Sequence, residues 1–466
     1  MSDNYRAQEE IMDTGSLRGR REILLETTRE SLQAGDLGTM RLVLNNQHPA
    51  DLADLFRHLG DEDQQSLLPL IAEPLAARML VELDTSTLLN VTENLDHEVL
   101  SDLVEEMAPD DAADLLGDLS EEHSERVLEL MEEEGAEDIR ELLAHPEDTG
   151  GGLMTSRLVA VRADMTVASA IAHLRGMTDE EHIFYIYVVD EQDRLLGTAP
   201  IKRLLLASQD TLISELIKRE CISVRTDMDQ EEIARLFADY DLVALPVVDE
   251  AGRLVGQVTI DDVVDVINAE ATEDIYGLAG TSAEELDART IAGVLRRRLP
   301  WLLVCLGGGL FSGAVIDGFH EDIVAASAML LVFMPGIAGM GGNTGVQTST
   351  VTVRSLATGH IKPGALWSNI WRELRVAMCI GLILGLLILG VARLWTGQWL
   401  LGSCVGLAMF CSITLASLLG ALLPFLFRSV GIDPAVASGP LITTLNDGLS
   451  LLVYFTTSLV LFHIWA

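Results

Sequence analysis

Cysteine is scarce in this chain, and the few that occur are scattered. Cys221 lies alone in an acidic segment, and the other four lie in apolar segments without any CxxC pair: Cys305, Cys379, Cys404 and Cys411. Isolated thiols of this kind provide neither a disulfide framework nor a zinc site. The chain is therefore not a disulfide-stabilised secreted scaffold.

Basic residues are also few. The 466 residues carry 31 Lys and Arg against 71 Asp and Glu, for a formal net charge of −40. Residues 291–466 hold nine basic and six acidic side chains, so the first 290 hold 22 basic and 65 acidic ones. A field this negative argues against nucleic acid as a partner and favours cations. An acidic surface that serves solubility alone is the alternative.

A secretory signal is missing as well. The chain opens MSDNYRAQEE, which is polar and acidic rather than a basic region followed by an apolar core. The acidic part is therefore expected to stay in the cytoplasm.

Long apolar runs occur in the last third of the chain. Five are long enough to span a bilayer, at 299–319, 323–350, 376–395, 399–427 and 434–463. The connections expected on one side are basic, with Arg296, Arg297, Arg298, Arg354, Lys362, Arg372, Arg375 and Arg428. The other side has Asp317, Glu321, Asp322 and Arg393. The positive-inside rule then predicts a multi-pass protein of the cytoplasmic (inner) membrane, with its C-terminus outside.

Asp447 is the one charged residue between Asp433 and His463, inside the last apolar run. An aspartate at the centre of a membrane helix costs about 2.5 to 3.5 kcal/mol even on lenient insertion scales, so it indicates an ion or proton pathway. Structural hydrogen bonding between helices is the alternative. Other polar residues share its helical face: Thr443, Thr444, Ser450, Tyr454, and Thr457 or Ser458.

The second apolar run contains FMPGIAGMGGNTGVQTST, with Pro335, five glycines, Asn343, Thr344 and Gln347. This composition predicts a broken helix that lines protein or water at membrane depth. Close helix packing through Gly341 and Gly345 is the alternative. We favour that second interpretation for two further pairs, Gly309/Gly313 and Gly381/Gly385.

Two internal repeats organise the acidic part. Residues 48–71 and 108–131 are identical at nine of 24 positions, including Pro49/Pro109, Asp51/Asp111 and Asp54/Asp114. Proline at a helix start and leucines at helical spacing predict helical hairpins that stack into a small superhelix. Asp110, Asp111 and Asp114 individually fit ordinary helix-start acids.

The second repeat has an offset of 59 residues, with YVVDEQDRLLGTAPIKRL at 187–204 and PVVDEAGRLVGQVTIDDV at 246–263. The pattern predicts strand, turn, strand and helix. It resembles a tandem pair of CBS domains, which implies possible adenine nucleotide (ATP) binding through a Thr-x-x-Asp motif at Thr259 and Asp262. The first copy has Ala199 to Lys202 there and departs from that motif.

A helical pattern crowded with acids then leads into the first apolar run. Its acids are Asp262, Asp265, Glu270, Glu273 and Asp274. Like charges at these spacings destabilise a helix by a few tenths of a kcal/mol per pair, so a positive partner should offset them.

Together, the superhelix, the CBS pair, the acidic helix and the motifs PGIAGMGGNTGVQT and SGPLITTLNDGLSLLVYF resemble the bacterial MgtE family of magnesium channels over essentially the whole chain. The expected fold is multidomain, with α, α/β and membrane all-α parts. We expect a helical superhelix at 1–150, CBS domains at 151–209 and 210–269, a connecting (plug) helix at 270–298, and five transmembrane helices at 299–466.

The resemblance implies a homodimer with a pore on its two-fold axis, a cytosolic Mg²⁺ sensor and a helix that closes the pore at high internal Mg²⁺. It places the pore carboxylate on Asp447, and our interpretation of the pore adds Asn343 as a nearby second contact. It places the sensor on Asp262, Asp265, Glu270, Glu273, Asp274, Glu231, Asp241 and Asp111.

The residues agree with that chemistry. Mg²⁺ prefers oxygen ligands, keeps several waters, and is held by one or two carboxylates, and no thiol or imidazole cluster in the sequence indicates zinc or copper. A proton-coupled secondary transporter of divalent cations is the alternative function. A CBS-gated anion channel lacks a basic group in the spans, and an enzyme lacks a nucleophile–base pair, HExxH or phosphate loop.

Overall fold

A computed structural model describes residues 17–92, 95–176, 185–282, 285, 290–358, 360–361, 366–435 and 439–465. The chain divides into two compact units, Met1–Ile267 and Asn268–Ala466. The first unit holds the acidic helices and two small sheets, and the second holds the long apolar helices.

Short helices make up the first part of the first unit. They are α1 (Leu17–Ala34), α2 (Leu37–Leu44), α3 (Pro49–Arg57), α4 (Asp61–Leu67), α5 (Glu73–Val81), α6 (Thr85–Thr92), α7 (His97–Glu105), α8 (Pro109–Asp118), α9 (Glu121–Leu130) and α10 (Glu133–Leu143). Both repeat copies begin a helix with proline at its first position, where no intrahelical N–H bond is lost. Each helix buries leucines on one face, such as Leu52 and Leu55 in α3 and Leu115 and Leu116 in α8. The predicted helical hairpins are confirmed.

The rest of the first unit consists of two equivalent α/β motifs. The first contains β1 (Ala160–Arg162), α11 (Val167–Leu174), β2 (Ile186–Val189), β3 (Leu195–Ala199) and α12 (Ile201–Leu206). The second contains β4 (Val224–Arg225), α13 (Gln230–Tyr240), β5 (Ala244–Val248), β6 (Leu254–Thr259) and α14 (Ile260–Ala279). The sheets have the orders β1-β2-β3 and β4-β5-β6, each with one parallel and one antiparallel pairing.

The two α/β motifs also have the same strand register, with equivalent residues 59 positions apart. Val188 pairs with Gly197 in the first sheet, and Val247 pairs with Gly256 in the second. Each antiparallel pairing also has an irregularity directly after that pair. The strand-turn-strand-helix prediction is therefore confirmed in both copies.

One hydrophobic core joins the superhelix to the second α/β motif, because residues such as Leu116 and Val247 belong to the same buried cluster. A polar connection accompanies it: Arg157 donates from Nη2 to the carbonyl oxygen of Met107 at 3.1 Å. Gln257 in turn donates to the carbonyl oxygen of Arg157 at 2.9 Å. The end of α7 and strand β6 are thus held by the same short segment.

The connecting helix differs from the prediction. α14 begins at Ile260, so the last helix of the second α/β motif and the acidic helix are one element, which ends at Ala279. No glycine or proline interrupts residues 260–276, whereas Gly280 has φ +78°, a left-handed conformation that ends helices. The predicted helix over 270–298 is wrong in both bounds, since α15 starts separately at Ile291.

Five long helices form the second unit after α14: α15 (Ile291–Ser327), α16 (Leu330–Ala357), α17 (Leu366–Thr396), α18 (Trp399–Ser429) and α19 (Gly439–Trp465). Among the described residues, α15, α17, α18 and α19 are long and apolar enough to cross a membrane. α16 is comparably long at 28 residues and carries the polar residues that the sequence places there. Asp317, Glu321 and Asp322, expected in a loop, instead lie inside α15, since nothing in that stretch breaks a helix.

The predicted break in the second span is wrong. α16 is one continuous α-helix that contains Pro335 in its second turn and all five glycines. Proline at this position leaves the carbonyl oxygen of Leu331 without its intrahelical donor, so the helix continues past it at the cost of one backbone hydrogen bond. Three of the glycines, Gly341, Gly342 and Gly345, instead lie in close contact with α19, which is the alternative that the small-residue spacing offered.

Candidate ion site and acidic cluster

Asp447 lies at a cavity of about 490 Å³ in the second unit. Thr443 and Thr444, one turn earlier on α19, line the same cavity, as does Ser312 of α15. No lysine, arginine or histidine is among the described residues that line it. The cavity therefore presents one carboxylate and several hydroxyls, a set that suits a cation.

Glycines of α16 bring a second helix against this part of α19. A Cβ on Gly342 would lie 3.0 Å from Oδ1 of Asp447, and one on Gly341 would lie 2.1 Å from Oγ of Ser450. A Cβ on Gly345 would lie 1.9 Å from Nδ2 of Asn446. A larger residue at these positions would displace those side chains, and at Gly342 the backbone of α16 lies beside the Asp447 carboxylate.

Two other glycine pairs have different surroundings. Gly381 and Gly385 pack against Phe410 and Gly406 of α18, as the small-residue spacing predicts. At Gly309 and Gly313, a Cβ would have no atom of the described chain within 4 Å, so the structure gives them no packing partner inside one chain.

The polar face of α19 divides in two. Its first half faces the cavity, whereas Ser450, Tyr454 and Ser458 are buried between helices. The Tyr454 hydroxyl donates to the carbonyl oxygen of Leu330 at 2.8 Å, which ties α19 to the start of α16. The predicted stripe therefore faces the cavity only near Asp447, and beyond it is a helix-packing surface.

Asn343 lies on an exposed face of α16 and is not among the residues that line the cavity. Within one chain, the structure does not bring its amide to Asp447. Its role as an ion contact stays a prediction.

The end of α14 lines the same cavity as Asp447. Leu278 and Ala279 contribute to its wall, opposite Gly439 and Pro440 at the start of α19. A Cβ on Gly439 would lie 1.8 Å from the carbonyl oxygen of Leu278, so only glycine permits this approach. The last residues of the acidic connecting helix therefore form part of the cavity wall.

Two ion pairs hold this connecting segment to the long helices. Asp274 pairs with Arg354 of α16 at 3.6 Å between Oδ2 and Nη1. Glu285 accepts a bond of 2.9 Å from Nε of Arg298; this bond and one from Thr281 lower the pKa of Glu285 to about 2. Burial and nearby Asp433 raise the pKa of Asp274, although Arg354 opposes the rise. The arginines of these two pairs supply part of the positive charge that the acid-rich sequence pattern requires.

A second group of acids gathers in the first unit. Asp110 and Asp111 of α8 interact with Asp261 and Asp262 at the start of α14. Asp114, one turn later on α8, interacts with Asp110 and Asp111. We name these five residues the acidic cluster. Thr259 donates a bond of 2.6 Å to Asp262, and Oδ1 of Asp110 is buried with no hydrogen-bond partner among the described residues.

The aspartates of the acidic cluster have raised pKa values, as expected for neighbouring carboxylates without a basic partner. Burial, reinforced by Asp110 and Asp262, raises the pKa of Asp111 to about 8. Burial and Asp110 raise the pKa of Asp262 to about 7, and the same two causes do so for Asp114, whose side chain lies at the exposed rim. Burial also raises the pKa of Asp110. None of the ion pairs in the described part of the chain reaches these four residues.

In the first repeat copy, the equivalent carboxylates are paired with a basic side chain. Asp51 and Asp54 occupy the positions that Asp111 and Asp114 occupy in the second copy. Arg21 pairs with both, at 3.0 Å to Asp51 and 3.6 Å to Asp54. The sequence alone suggested ordinary helix-start acids at both sites, but only the first copy has its countercharge within the described part of the chain.

Sequence reasoning missed Asp110, Asp114 and Asp261 as members of one site. It selected Asp111 and Asp262 through the family resemblance, and the structure brings those two together. The missing signal was long-range: α8 and the start of α14 are about 150 residues apart in the chain.

The remaining predicted sensor acids lie elsewhere. Glu231 pairs with Arg235 on its own helix at 3.7 Å, and Asp241 ends α13 in a left-handed conformation with φ +51°. Asp265 is exposed as a residue, but its carboxyl group is partly desolvated. That desolvation and the nearby charge of Asp261 raise the pKa of Asp265. Glu270 is half-buried and Glu273 exposed on α14. The structure does not place these residues in the acidic cluster, so their roles as Mg²⁺ ligands stay predictions.

The predicted nucleotide residues do not form an open pocket. The Thr259 hydroxyl is engaged by Asp261 and Asp262 at the start of α14. A separate cleft of about 190 Å³ lies between the two α/β motifs and is lined in part by Gly197, Arg219 and Cys221. Neither Thr259 nor Asp262 lines that cleft.

No group of three or more His, Cys, Asp or Glu side chains in the described residues converges tightly enough to hold a bare metal ion. A fully dehydrated ion with all-protein ligands therefore does not fit either place. A hydrated ion, held through its own water by one or two carboxylates, fits both.

Comparisons with known proteins agree with this architecture. A family described as divalent cation transporter (MgtE) matches residues 334–457, the MgtE intracellular N domain matches 47–148, and CBS domains match 151–210 and 213–269. The magnesium transporter MgtE of Thermus thermophilus is 39% identical over 94% of this chain and 99% of its own length. That of Bacillus subtilis is 35% identical over 93% and 96%.

Solved structures match as well, among them that of the cytosolic domain of the Mg²⁺ channel MgtE in complex with ATP. It is 41% identical to this chain and superposes with a TM-score of 0.50, covering 52% of this chain and 99% of that one.

Proposed function

Because the chain belongs to the MgtE family of magnesium transporters, we propose that it is a Mg²⁺ channel with Asp447 as its pore carboxylate. We further propose that Mg²⁺ bound at the acidic cluster favours the closed state. The observation that carries the first proposal is the position of Asp447 at the cavity beside the glycine backbone of α16.

The chemistry of the cavity supports a hydrated cation. Mg²⁺ sheds its water reluctantly and is held by few carboxylates, and the described lining offers one carboxylate with the hydroxyls of Thr443, Thr444 and Ser312. In a homodimer with the pore on its two-fold axis, two Asp447 side chains would face one ion. Weak binding of this kind lets an ion enter and also leave.

Uptake is the expected direction. A membrane potential that is negative inside favours influx by about 2.3 kcal/mol per elementary charge and 100 mV, hence by about 4.6 kcal/mol for a divalent cation. No coupled proton is needed for that. The acidic unit would then lie in the cytoplasm and the C-terminus outside, as the basic connections predict.

The pore proposal is tested with Asp447→Asn in proteoliposomes. Mg²⁺ uptake should fall at least about 100-fold, because the amide keeps the shape but loses the charge that offsets the dehydration of the ion. Asp317→Asn is the matched control, since it removes one exposed carboxylate of α15 that does not line the cavity. Unchanged selective uptake in Asp447→Asn would refute the role of Asp447.

The same assay separates a channel from a proton-coupled transporter. For a channel, the current should reverse at the Mg²⁺ equilibrium potential and stay there when a pH gradient is imposed. A reversal potential that moves with the pH gradient would favour the transporter.

The gating proposal starts from repulsion in the acidic cluster. A divalent cation that bridges α8 and the start of α14 favours the arrangement in which those carboxylates are close, and it shifts the equilibrium only by its differential affinity for that arrangement. A near-complete switch needs about 5.5 kcal/mol, which several weak sites acting together can supply. α14 is the element through which this change would reach the cavity, since its last residues line the cavity wall.

The gating proposal is tested with the double variant Asp111→Asn and Asp262→Asn, in patch recordings at varied internal Mg²⁺. The half-closing concentration should rise several-fold in this variant. Asp51→Asn is the matched control: it occupies the equivalent repeat position, but its carboxylate is already neutralised by Arg21. Closure of the double variant at the wild-type concentration would place the sensor elsewhere.

We also propose that ATP binds the CBS pair, on the strength of the ATP complex of the similar cytosolic domain. Arg219 at the rim of the 190 Å³ cleft offers a positive charge for a phosphate group. The acidic surroundings of Asp262 are unfavourable for a triphosphate, so the cleft is the better site on electrostatic grounds.

A further inference from the structure

Two histidines face each other in the superhelix, away from the acids discussed above. His97 is the first residue of α7, and His123 lies in the first turn of α9. Their ring centroids are 5.3 Å apart and their planes meet at 74°. The two ring planes are therefore nearly perpendicular.

A small space adjoins the two rings. The cavity has a volume of about 10 Å³ and is lined by both histidines, Thr92 and aliphatic side chains. That is about enough room for one water molecule or one ion. The Thr92 hydroxyl already donates to the carbonyl oxygen of Leu88 at 2.9 Å, so its proton is engaged elsewhere.

His97 has an unused nitrogen at this place. Its Nε2 atom is shielded from solvent and has no hydrogen-bond partner among the described residues. A buried polar atom without a partner is uncommon in native proteins and calls for a water molecule or an ion. His123 is exposed, so an ion could reach the space from solvent.

The ring spacing fits shared coordination. A metal bound to an imidazole nitrogen at about 2.0 to 2.1 Å lies roughly 3.2 Å from the ring centre, and two such rings at a tetrahedral angle have centres about 5 Å apart. The observed 5.3 Å agrees with this value.

We propose that His97 and His123 form a two-imidazole site for a borderline transition-metal cation of the Zn²⁺, Ni²⁺ or Cu²⁺ class, with water at the remaining coordination positions. Imidazole suits these ions, whereas Mg²⁺ prefers oxygen ligands. The site is therefore chemically separate from the acidic cluster. A bound ion would link α7 to α9, the two helices that flank α8 in the chain.

The test uses full-length protein in detergent with saturating Mg²⁺, which occupies carboxylate sites. Cu²⁺ and Zn²⁺ binding is measured by equilibrium dialysis, and the Cu²⁺ complex is examined by electron paramagnetic resonance for nitrogen couplings. Wild type should bind one further ion per chain with coupling to two imidazole nitrogens. His97→Gln and His123→Gln should each lower the affinity at least about tenfold, since loss of an outer-shell partner alone costs 10- to 100-fold.

His173→Gln is the matched control, because it removes an exposed helical histidine of α11 and should leave binding unchanged. His123 is exposed, so His123→Gln should fold even if His97→Gln does not; retained Mg²⁺ uptake verifies this. Equal stoichiometry and affinity in wild type and His123→Gln, or a Cu²⁺ spectrum without two coupled nitrogens, would overturn the proposal.

Discussion

Replacement of Asp111 by asparagine should stabilise the superhelix in the absence of Mg²⁺, and it should do so more at pH 7 than at pH 5. The carboxyl group is half-buried among other acids, which raises its pKa from 3.8 to about 8. In the unfolded chain it ionises freely. Between about pH 4 and pH 8 the folded state therefore holds a proton that the unfolded state releases, and the stability of the folded state falls as the pH rises.

The size of this effect follows from the displacement of the pKa. One pKa unit corresponds to about 1.36 kcal/mol, so the ceiling on the penalty is roughly 4 kcal/mol at pH 7 and roughly 1.6 kcal/mol at pH 5. Asp110 and Asp262 share the penalty, and water at the rim screens it. We therefore expect Asp111→Asn to gain about 1 to 2 kcal/mol more at pH 7 than at pH 5.

The assay must report on the first unit. All six tryptophans lie at or beyond Trp301, so tryptophan fluorescence follows the other unit. Hydrogen exchange of peptides from α7, α8 and α9, corrected for the intrinsic rate at each pH, measures local opening instead. A gain that is equal at both pH values would refute the argument, because asparagine packing alone does not depend on pH.

Asp51→Asn provides the matched control, and unlike Asp111→Asn it should not stabilise the helix that carries it. Its carboxylate is paired with Arg21, so its removal should not increase protection of α3 at any pH. Added Mg²⁺ should also protect α8 in wild type more than in Asp111→Asn, since a ligand stabilises only the state that binds it. Loss of that difference would mean that Mg²⁺ does not bind at Asp111.

Two further predictions concern other parts of the chain. Arg219→Gln should weaken ATP binding, measured by calorimetry, at least about tenfold, whereas Thr259→Val should leave it nearly unchanged; the reverse order would move the nucleotide to the Thr-x-x-Asp motif. Gly420→Ala would place a Cβ 2.4 Å from the carbonyl oxygen of Gly345, and it should destabilise the second unit by about 1 to 3 kcal/mol in tryptophan-monitored unfolding. Gly339→Ala is the control: it gives the same gain in helix propensity, but its added Cβ would have no atom of the described chain within 4 Å. Equal stability of the two variants would contradict the packing argument.

The elements of the fold could be predicted from the sequence where the signal is local. Proline at a helix start, leucine spacing and the 59-residue repeat are local patterns, and the helices and strands appear accordingly. Glycine is ambiguous in a way that local pattern does not resolve. The run from Gly336 to Gly345 suits a broken helix as well as a tightly packed one, and only the proximity of Ser450, Asn446 and Asp447 decides for packing.

The carboxylate at the cavity was predictable for a different reason. Asp447 is conspicuous because a charge in an apolar run is costly, and that cost can be read from the sequence. The acidic cluster was not predictable in this way, since each aspartate at a helix start is ordinary in isolation. Its character depends on which side chains the fold brings near, and on whether an arginine is among them.

The two repeat copies make that dependence concrete. Both place aspartates at the same positions of the same kind of helix, and the first copy satisfies them internally with Arg21. The second copy adds Asp110 and meets Asp261 and Asp262, but none of its ion pairs in the described residues supplies a cation. Folding thus retains a repulsion there that a cation from solvent can relieve, and the free energy relieved is available to bias one arrangement of α8 and α14 over another. Because no three ligands in the described residues converge on a bare ion, the relief should come from a hydrated ion of high charge density, and Na⁺ or K⁺ at equal ionic strength should protect α8 far less than Mg²⁺ does.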